Sequence, residues 1–307
     1  MSNQNEVAEM LCKVESGCGA IKKIIQPKDK DLGGFCVRRT LPNQAIKSIG
    51  PFIFFDHMGP ANFEAGQGID VRPHPHINIA TVTYLFDGEI LHQDSIGSRQ
   101  TIRPGDLNLM VTGSGMVHSE RESADVKNRP HSVHGLQLWL ALPEKDEETK
   151  PAFYHYSSTS LPQVTDNDVA IRVMIGEAYG VTSPVKTFSS TLYIEAKLKA
   201  GQSLTLPDAD ERGLYVVSGE VRLKDTIVPE HSMVVLESAQ DVVIHAKKDS
   251  QIALVGGENL GKRYIDWNFV SSKHERIEQA KQQWINGEFP KIDGDSEEFI
   301  PYPFVEK

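Results

Sequence analysis

Four side chains that suit a divalent metal lie between His74 and Glu120, arranged as two pairs. His74 and His76 are two residues apart, and so are His118 and Glu120. If each pair lies on a β-strand, both of its members point to the same face of the sheet, and two facing strands would bring all four together. Three imidazoles and one carboxylate suit a divalent transition metal and leave coordination positions open. The spacing therefore predicts a working metal centre.

A single His-x-His pair is a weak signal, because histidines are common on half-buried strands. The second pair, His118 and Glu120, is what favours a metal site. His92 and Asp94 form a further pair at the same spacing and are an alternative ligand set. They are equally explained as hydrogen-bonded support that orients the ligand imidazoles.

The residues between the two ligand pairs predict a compact all-β module. The strand-like runs IATVTYLF, EILHQDSI and LNLMV are separated by turns at 103–106 and 113–115. A small antiparallel barrel would bring both ends of this stretch to one place. Pro73 and Pro75 cannot donate to a β ladder, so His74 is expected on an edge strand or barrel rim, near a pocket mouth.

The same residues resemble the pirin family, whose metal site uses the histidines of HPH and the His and Glu of a later G-x-G-x-x-H-x-E. Carried over position by position, the resemblance gives His74, His76, His118 and Glu120 as metal ligands. It extends through PFIFFDHMGP, HGLQLWLALP and NFVSSKHERIEQAKQQWINGEFP, and so covers most of the chain. Many pirins carry an acidic residue shortly after HPH, where this chain reads IAT at residues 79–81. That residue is not a ligand in the pirin pattern, so the site is intact, but the general cupin arrangement that uses it is excluded.

The resemblance implies an all-β bicupin, with two tandem jelly-roll β-barrels and a short C-terminal helix. The predicted domains are residues 1–143, a cupin with the metal site, and 144–307, a cupin without one that includes the C-terminal helix and tail. The residues themselves predict that this helix covers 271–285 and begins at a Ser-rich cap.

Pirins act as quercetin 2,3-dioxygenases, which open the flavonol ring with O₂ and release carbon monoxide. The resemblance therefore implies an oxidoreductase whose partners are a small aromatic, flavonol-like substrate and O₂. The substrate hydroxyl would coordinate the metal. Glu120 would then either stay a ligand or take the hydroxyl proton as general base.

The resemblance favours one mononuclear Fe(II) centre and implies no other cofactor. The Irving–Williams order gives copper, nickel and zinc a higher affinity than iron, so Ni, Cu, Co, Mn and Zn stay open and the sequence does not determine the physiological metal. Pirins also resemble a class of transcriptional co-regulators that sense metal or redox state and act through protein partners. This non-enzymatic function is the alternative. The two differ in whether a bulky aromatic molecule reaches the open coordination positions.

The second half of the chain repeats the order of the first half without its ligands. Its Gly-Glu pair at 219–220 echoes the pair at 88–89, and His245 echoes the histidine of the second ligand pair. Where HPH would fall the chain reads LPDAD at 206–210, and Lys247 follows His245 by two residues, a cation that would repel a metal. One metal per chain is predicted.

Composition limits the classes of partner. The 307 residues are enough for two domains, and 32 Lys and Arg against 42 Asp and Glu give a net charge of −10. Such a field disfavours direct binding to nucleic acids and anionic membranes. No apolar run is long enough to span a bilayer and no signal peptide is recognisable, so a cytoplasmic protein is predicted, and a monomer. Cys12, Cys18 and Cys36 lack ligand spacing and read as reduced thiols, with an oxidation response of Cys12 and Cys18 as an alternative.

Several residues around the predicted site allow two interpretations. The phenylalanines between 52 and 63 pack in the core or line the pocket beside the metal. Gln137 and His134 contact substrate or make hydrogen bonds in the core. Arg38 and Arg39 face opposite sides of a strand, so one is expected at the surface and the other beside a buried carboxylate, neither with a catalytic role.

Overall fold

The computed structural model describes residues 21–31, 35–238 and 240–303. A short helical or loosely ordered lead-in, which the sequence predicts for residues 1 to about 20, lies outside the described residues, and with it Cys12 and Cys18. Cys36 is an exposed free thiol.

The described residues form strands and short helices, numbered here in chain order. The strands are β1 (Ile21–Ile25), β2 (Lys28–Asp31), β3 (Cys36–Leu41), β4 (Phe52–Phe63), β5 (Asp70–His76), β6 (Ile79–Asp87), β7 (Ile90–Asp94), β8 (Arg99–Ile102), β9 (Leu107–Val111), β10 (Met116–Arg121), β11 (His131–Ala141), β12 (Ala152–Tyr156), β13 (Gln163–Asp166), β14 (Val169–Ile175), β15 (Glu177–Ala178), β16 (Val181–Thr182), β17 (Thr191–Leu198), β18 (Ser203–Thr205), β19 (Glu211–Ser218), β20 (Glu220–Leu223), β21 (Thr226–Pro229), β22 (Met233–Leu236), β23 (Val243–Ala246), β24 (Ser250–Gly257), β25 (Tyr264–Asp266) and β26 (Phe269–Ser271). The helices are α1 (Ala124–Lys127), a 3₁₀ turn (Glu144–Asp146) and α2 (His274–Ile285).

These elements form two compact units. The histidine barrel comprises the described residues within 29–42, 52–160 and 260–307, and the second barrel those within 1–28, 43–51 and 161–259. This division differs from the one predicted after residue 143. β12 pairs with β9 of the histidine barrel, and Phe269 in the C-terminal segment bridges to Ile77 beside β5. The C-terminal helix and tail therefore belong with the histidines and not with the second barrel.

Each barrel contains a seven-stranded and a four-stranded sheet. In the histidine barrel their strand orders are β12-β9-β6-β11-β4-β3-β2 and β5-β10-β7-β8. In the second barrel they are β1-β22-β19-β24-β17-β14-β13 and β18-β23-β20-β21, which is the same arrangement. The predicted all-β architecture of two repeated barrels with a short C-terminal helix is confirmed.

Apolar residues of both sheets meet inside each barrel. In the histidine barrel Val37 and Met58 of the larger sheet pack in one cluster with Ile90 and Ile102 of the smaller sheet. Burying one such side chain contributes about 1.5–3 kcal/mol. In the second barrel one large aliphatic cluster extends over both sheets and includes Leu204 of β18. Burial of the cluster in the histidine barrel holds the strands that carry the histidines in place.

The register of the second barrel corrects one predicted correspondence. His245 of β23 lies opposite Arg222, whereas in the histidine barrel Arg121 of β10 lies opposite Leu91. Arg222 and Leu91 hold matching places, each three residues after the glycine of its Gly-Glu pair. His245 therefore takes the position of Arg121, not that of His118. Its imidazole Nδ1 lies 2.6 Å from the Ser203 hydroxyl.

The C-terminal helix begins later than the sequence suggests. Its N-cap is Lys273, which makes no side-chain capping hydrogen bond, so the predicted Ser-rich cap is wrong. The hydroxyls of Ser271 and Ser272 donate instead to Glu147, an acceptor far away in the sequence. No helix among the described residues has the length and apolar content needed to cross a lipid bilayer.

Candidate metal centre

Both predicted ligand pairs lie on neighbouring strands of the four-stranded sheet. His74 and His76 are on β5, and His118 and Glu120 are on β10. The strands run antiparallel with His118 directly opposite His74. Because residues two apart share a face of a strand, each pair projects to one side. All four side chains line the same cavity.

Two local features of these strands set the geometry. β5 is the outermost strand of its sheet, the edge position that Pro73 and Pro75 predict. The ladder between β5 and β10 shifts register between His118 and Glu120, so Glu120 lies opposite Val71. A shift of this kind bends a strand and re-aims its side chains, and such features are common beside active sites.

The three imidazoles converge at one point. The ring centroids of His74 and His118 are 4.3 Å apart, and His76 is 5.1 Å from each. One nitrogen from each ring can be chosen so that all three lie within 4.8 Å of one another. His76 and His118 are each 1 % exposed and His74 is 7 % exposed. The three imidazoles are therefore almost completely shielded from bulk solvent.

Backbone carbonyls fix the tautomers of two of these rings. His74 Nδ1 lies 2.9 Å from the Arg72 carbonyl oxygen, and His76 Nδ1 lies 3.0 Å from that of Asn268. A carbonyl only accepts hydrogen bonds, so both Nδ1 atoms carry a proton and donate. Each neutral ring then has its lone pair on Nε2. This is how metal-binding histidines are usually oriented.

His118 provides the test of whether a metal fits. Among the described residues neither ring nitrogen of His118 has a hydrogen-bond partner, although both are fully buried. A buried polar atom left unsatisfied costs about 1–3 kcal/mol, so such atoms are rare without a functional reason. A cation between the three rings would take the lone pair of one nitrogen. The three side chains fit a divalent transition metal.

Burial keeps these histidines neutral, which is the state that binds metal. Removal from water lowers the pKa of His74 to about 4, with a smaller opposing effect from its hydrogen bond to Arg72. Burial, followed by the neighbouring imidazoles, places the pKa of His76 and of His118 well below the ordinary value. Protons therefore compete weakly with a metal at neutral pH.

The cavity that contains the histidines has a volume of about 390 Å³. This falls within the usual range for small-molecule sites, roughly 300–1,000 Å³. Its lining combines the ligand candidates with mainly apolar and aromatic side chains and a few polar ones. The lining residues are Phe35, Val37, Arg39, Phe54, Asp56, Met58, Ile69, Val71, His74, His76, Ile90, His118, Glu120, Gln137, Trp139, Trp267, Asn268 and Ile300.

One wall of the cavity is a column of stacked planar groups. The Arg39 guanidinium lies 4.2 Å from the Phe54 ring centroid, and Phe54 stacks on Trp139 at 4.0 Å and 9°. Trp139 in turn meets His76 edge to face at 4.8 Å. Asp56 holds Arg39 through two hydrogen bonds of 2.8 Å each. The column gives the pocket a flat aromatic side that ends at a metal-ligand candidate.

Comparison with known proteins agrees with these features. Residues 34–140 match the family described as Pirin, and residues 193–290 match the Pirin C-terminal cupin domain. A pirin-like protein of Caulobacter vibrioides is 42 % identical over 287 residues, which cover 92 % of this chain and 99 % of that protein. The chain belongs to the pirin family. Both barrels of this pirin are therefore cupin domains.

Two further relatives carry an enzyme name. A Pseudomonas aeruginosa protein, provisionally named a quercetin 2,3-dioxygenase, is 33 % identical over 85 % of this pirin and 83 % of its own length. The crystal structure of a quercetin 2,3-dioxygenase from Acinetobacter baumannii has a TM-score of 0.86 and 30 % identity. It covers 93 % of this pirin and 96 % of the crystallised chain. The fold of this pirin thus matches a solved quercetin dioxygenase over nearly its full length.

Glu120 lies beside the three imidazoles rather than among them. It lines the same cavity, but the group of mutually close ligand atoms in the described residues contains only the three histidines. The Thr83 hydroxyl lies 2.9 Å from Gln137 Oε1 and 3.4 Å from Glu120 Oε1, so its one proton is shared between two acceptors. Burial raises the pKa of Glu120, while His92 and Thr83 oppose the shift. Its role as a ligand stays a prediction.

His92 and Asp94 bind one another instead of joining the cluster. His92 Nε2 lies 3.0 Å from Asp94 Oδ2, and the other carboxylate oxygen accepts from the backbone amides of Ile96 and Ser98. The His92 ring stacks on Phe153 and lies 5.4 Å from the His118 ring. His92 and Asp94 lie directly opposite Glu120 and His118 on the neighbouring strand, so the pair sits beside the site on the same face of the sheet, without a hydrogen bond to a ligand candidate among the described residues.

The other residues with two interpretations divide between core and pocket. Of the phenylalanines between 52 and 63, Phe54 lines the cavity, whereas Phe52 and Phe55 are fully buried in the core. Gln137 also lines the cavity, and His134 Nε2 instead lies 2.7 Å from His57 Nε2. Of the adjacent arginines, one lies beside a buried carboxylate as expected, although both are only partly exposed. Arg38 donates to the Gly59 carbonyl, and Arg39 pairs with the buried Asp56.

Sequence reasoning missed three contributors to the pocket. Arg39 was expected to have only a structural partner, yet it lines the cavity. Trp267 and Asn268 lie nearly 150 residues after Glu120, and no motif spacing connects them to the histidines. The NFVSS run that begins at Asn268 belongs to the family resemblance and was the only available signal.

The metal-free protein is expected to lose stability as pH falls from about 6.5 to about 4. Unfolded His74 takes up a proton near pH 6.5, but the folded side chain does so only near pH 4, so the unfolded state binds more protons in this window. The shift of His74 alone corresponds to roughly 3 kcal/mol of unfolding free energy. Urea unfolding at pH 7.5, 6 and 4.5 measures this loss.

His74→Gln should flatten this pH dependence by the contribution of one histidine. His274→Gln, at an exposed side chain on α2, should leave it unchanged. An unfolding free energy of His74→Gln that falls with pH as steeply as that of the wild type would contradict the assignment.

Proposed function

We propose that the protein is a metal-dependent enzyme of the quercetin 2,3-dioxygenase type, which cleaves flavonols with O₂. The observation that carries the proposal is the cavity itself. Three neutral imidazoles meet inside it, and one of its walls is a flat aromatic column. A sugar or a phosphate would call for many polar or basic groups, whereas a flat phenolic molecule suits apolar and aromatic walls with a few polar groups.

The residues proposed to hold the metal are His74, His76 and His118. Glu120 becomes a fourth ligand if its side chain turns from Thr83 towards the imidazoles. The proposed metal is Fe(II), and Ni, Cu, Co, Mn and Zn stay open because nitrogen and oxygen donors accept all of them. A bound divalent metal supplies Lewis-acid stabilisation of an anionic substrate oxygen.

The proposed reaction needs no external reductant. Both atoms of O₂ enter the substrate, two carbon–carbon bonds of the central flavonol ring break, and the ring carbon that bears the hydroxyl leaves as carbon monoxide. The substrate itself supplies the four electrons that reduce O₂. Glu120 takes the hydroxyl proton, which returns to the ring-opened product. No second cofactor is required.

Glu120 suits the role of general base because of its surroundings. Its burial raises the pKa of the carboxyl group, which brings its proton affinity closer to the working range of a base at neutral pH. The carboxylate lines the same cavity as the three histidines. Thr83 offers it only a long hydrogen bond of 3.4 Å, so the carboxylate is weakly held and free to accept a proton.

The column of Arg39, Phe54 and Trp139 is proposed to recognise the aromatic rings of the substrate. Aromatic faces bind flat rings through offset or edge-to-face contacts. Asp56 occupies Nε and Nη2 of Arg39, and among the described residues no group accepts from Nη1. This leaves Nη1 to donate to a phenolic oxygen of the substrate. The two relatives with quercetin dioxygenase names support the same substrate class.

Turnover of quercetin by iron-loaded protein, followed by carbon monoxide release, tests the proposal. We expect one carbon monoxide per quercetin consumed, at a rate well above that of free iron at equal concentration. Metal-free protein is the control and should be inactive. No turnover above free iron, together with metal-dependent binding of a protein partner, would favour the co-regulator instead.

A further inference from the structure

The C-terminal segment, defined here as residues 260–303, contacts the back of the strand that carries His118. Asp295 accepts hydrogen bonds from Ser119 Oγ at 2.8 Å and from Arg121 Nε and Nη2 at 2.8 and 2.9 Å. Gln93 of the adjacent strand β7 adds a longer one of 3.3 Å. One carboxylate of this segment thus joins two strands of the four-stranded sheet.

The donors on β10 project from the face of the strand that points away from the cavity. Ser119 and Arg121 alternate with His118 and Glu120, so they project from the opposite face of the strand. Asp295 therefore binds β10 from behind while the two ligand candidates face the cavity. Hydrogen bonds between charged groups are stronger than neutral ones, and a paired Arg–carboxylate contact also fixes orientation.

The same segment also holds β5, the second ligand-bearing strand. The Ile300 amide donates to the Pro73 carbonyl at 2.9 Å, next to His74. The Asn268 carbonyl accepts the Nδ1 proton of His76 at 3.0 Å. His76 is therefore hydrogen-bonded directly to the segment, and His74 and His118 are each linked to it through a neighbouring residue, Pro73 and Ser119.

The turn that presents the Asn268 carbonyl is itself fixed. Trp267 has a φ of 54°, a left-handed conformation that non-glycine residues rarely adopt, between the paired strands β25 and β26. Asp266 accepts from the Tyr302 hydroxyl at 3.1 Å and from Lys281 Nζ at 2.9 Å. An unfavourable conformation persists when its surroundings determine it, and such residues cluster at functional sites.

We propose that the C-terminal segment completes the metal centre, with Asp295 as a positioning residue that fixes β10 and the Asn268 carbonyl as the group that orients His76. This inference rests on the metal-binding part of the proposed function, although not on the flavonol substrate. Groups that orient metal ligands typically contribute 10–100-fold in metal affinity. Asp295 is 10 % exposed in its side chain, so water replaces its contacts only if the segment moves away.

Titration with Co(II), followed by the visible spectrum of the bound ion, tests the inference on the full chain. We expect Asp295→Asn to weaken Co(II) binding by about 10-fold or more and to change the spectrum of the bound ion. Asp293→Asn, an exposed carboxylate two residues away, is the matched control and should change neither. The spectrum is decisive because it reports the ligand geometry, whereas a purely structural role would lower only the thermal stability.

Each outcome has a defined meaning. Wild-type Co(II) affinity and spectrum in Asp295→Asn, with a lower unfolding temperature, would overturn the positioning role. If Asp295→Asn does not fold, Ser119→Ala removes one contact and should give a smaller change of the same kind; no change there would also overturn it. Wild-type protein that binds no Co(II) would overturn this inference together with the metal site. Wild-type protein that binds Co(II) but, when loaded with iron, does not turn over quercetin would overturn only the proposed dioxygenase.

Discussion

His118→Ala is expected to reduce the metal content of the purified protein from one equivalent per chain to near zero. His118 lies directly opposite His74, and its ring is close to both other imidazoles. It is also the ring whose two nitrogens have no other partner among the described residues. Removing it leaves two histidines on an edge strand, which do not hold a divalent ion strongly. Elemental analysis after metal loading and desalting measures the effect.

The fold should survive this substitution, because apolar clusters inside each barrel hold it together. The circular dichroism spectrum should therefore match that of the wild type. His92→Ala is the matched control, since it removes a buried imidazole of the same sheet that is bonded to Asp94. It should keep its metal. Full occupancy in His118→Ala, or equal losses in both variants, would show that the ligand set is wrong.

The same measurement tests whether the second barrel binds metal. We proposed one metal per chain because LPDAD replaces HPH and Lys247 follows His245. In the structure His245 holds the position that Arg121 has in the histidine barrel. The residue directly opposite His245 is Ser203, to which it is hydrogen-bonded, whereas His118 lies opposite another histidine, His74. Residual metal in His118→Ala that disappears when His245 is also replaced would refute the proposal.

The sequence contained most of the information about the strands and the three histidines. Alternation of apolar residues, the prolines around His74 and the i, i+2 spacing are local signals that act within one strand. These signals were sufficient to predict that β5 lies at the edge of its sheet and that the two members of each ligand pair project from the same face of their strand. The Gly-Glu pairs at 88–89 and 219–220 predicted that the second half repeats the first, and the matching strand orders of the two barrels confirm the repeat.

Contacts between distant parts of the chain were not predictable in the same way. The carbonyl of Asn268 reaches His76 over 192 residues, and Asp295 reaches Ser119 over 176 residues. Apart from the resemblance of the NFVSS run that begins at Asn268, nothing in their local sequence distinguishes them from other polar residues. The boundary predicted after residue 143 groups the C-terminal helix and tail with the second barrel, whereas these long-range contacts group them with the histidine barrel. The pocket role of Arg39 was missed for a related reason: a buried carboxylate partner was expected for one of the two arginines, but no local signal showed that Arg39 lines a cavity together with the histidines.

Glu120→Gln is expected to lower quercetin turnover per bound metal by about 10²-fold or more, the usual scale for losing general-base assistance. Glutamine has nearly the same size and keeps an oxygen that can accept from Thr83, but it does not take up a proton at neutral pH. The three histidines form the ligand cluster without Glu120, so the variant should retain most of its metal. A large loss of rate with metal still present therefore identifies the base.

The acid limb of the pH profile provides a second measure of the same carboxyl group. If Glu120 is the base, the wild-type kcat/KM should fall as pH drops through its pKa, which burial raises, because the protonated carboxyl group cannot accept the substrate proton. Glu120→Gln should lose this limb. Glu64→Gln, the same change of charge at an exposed position of the histidine barrel, should keep both rate and profile. If Glu120→Gln instead loses metal while its rate per bound metal is unchanged, Glu120 is a ligand only, and the proton must leave the substrate by another route.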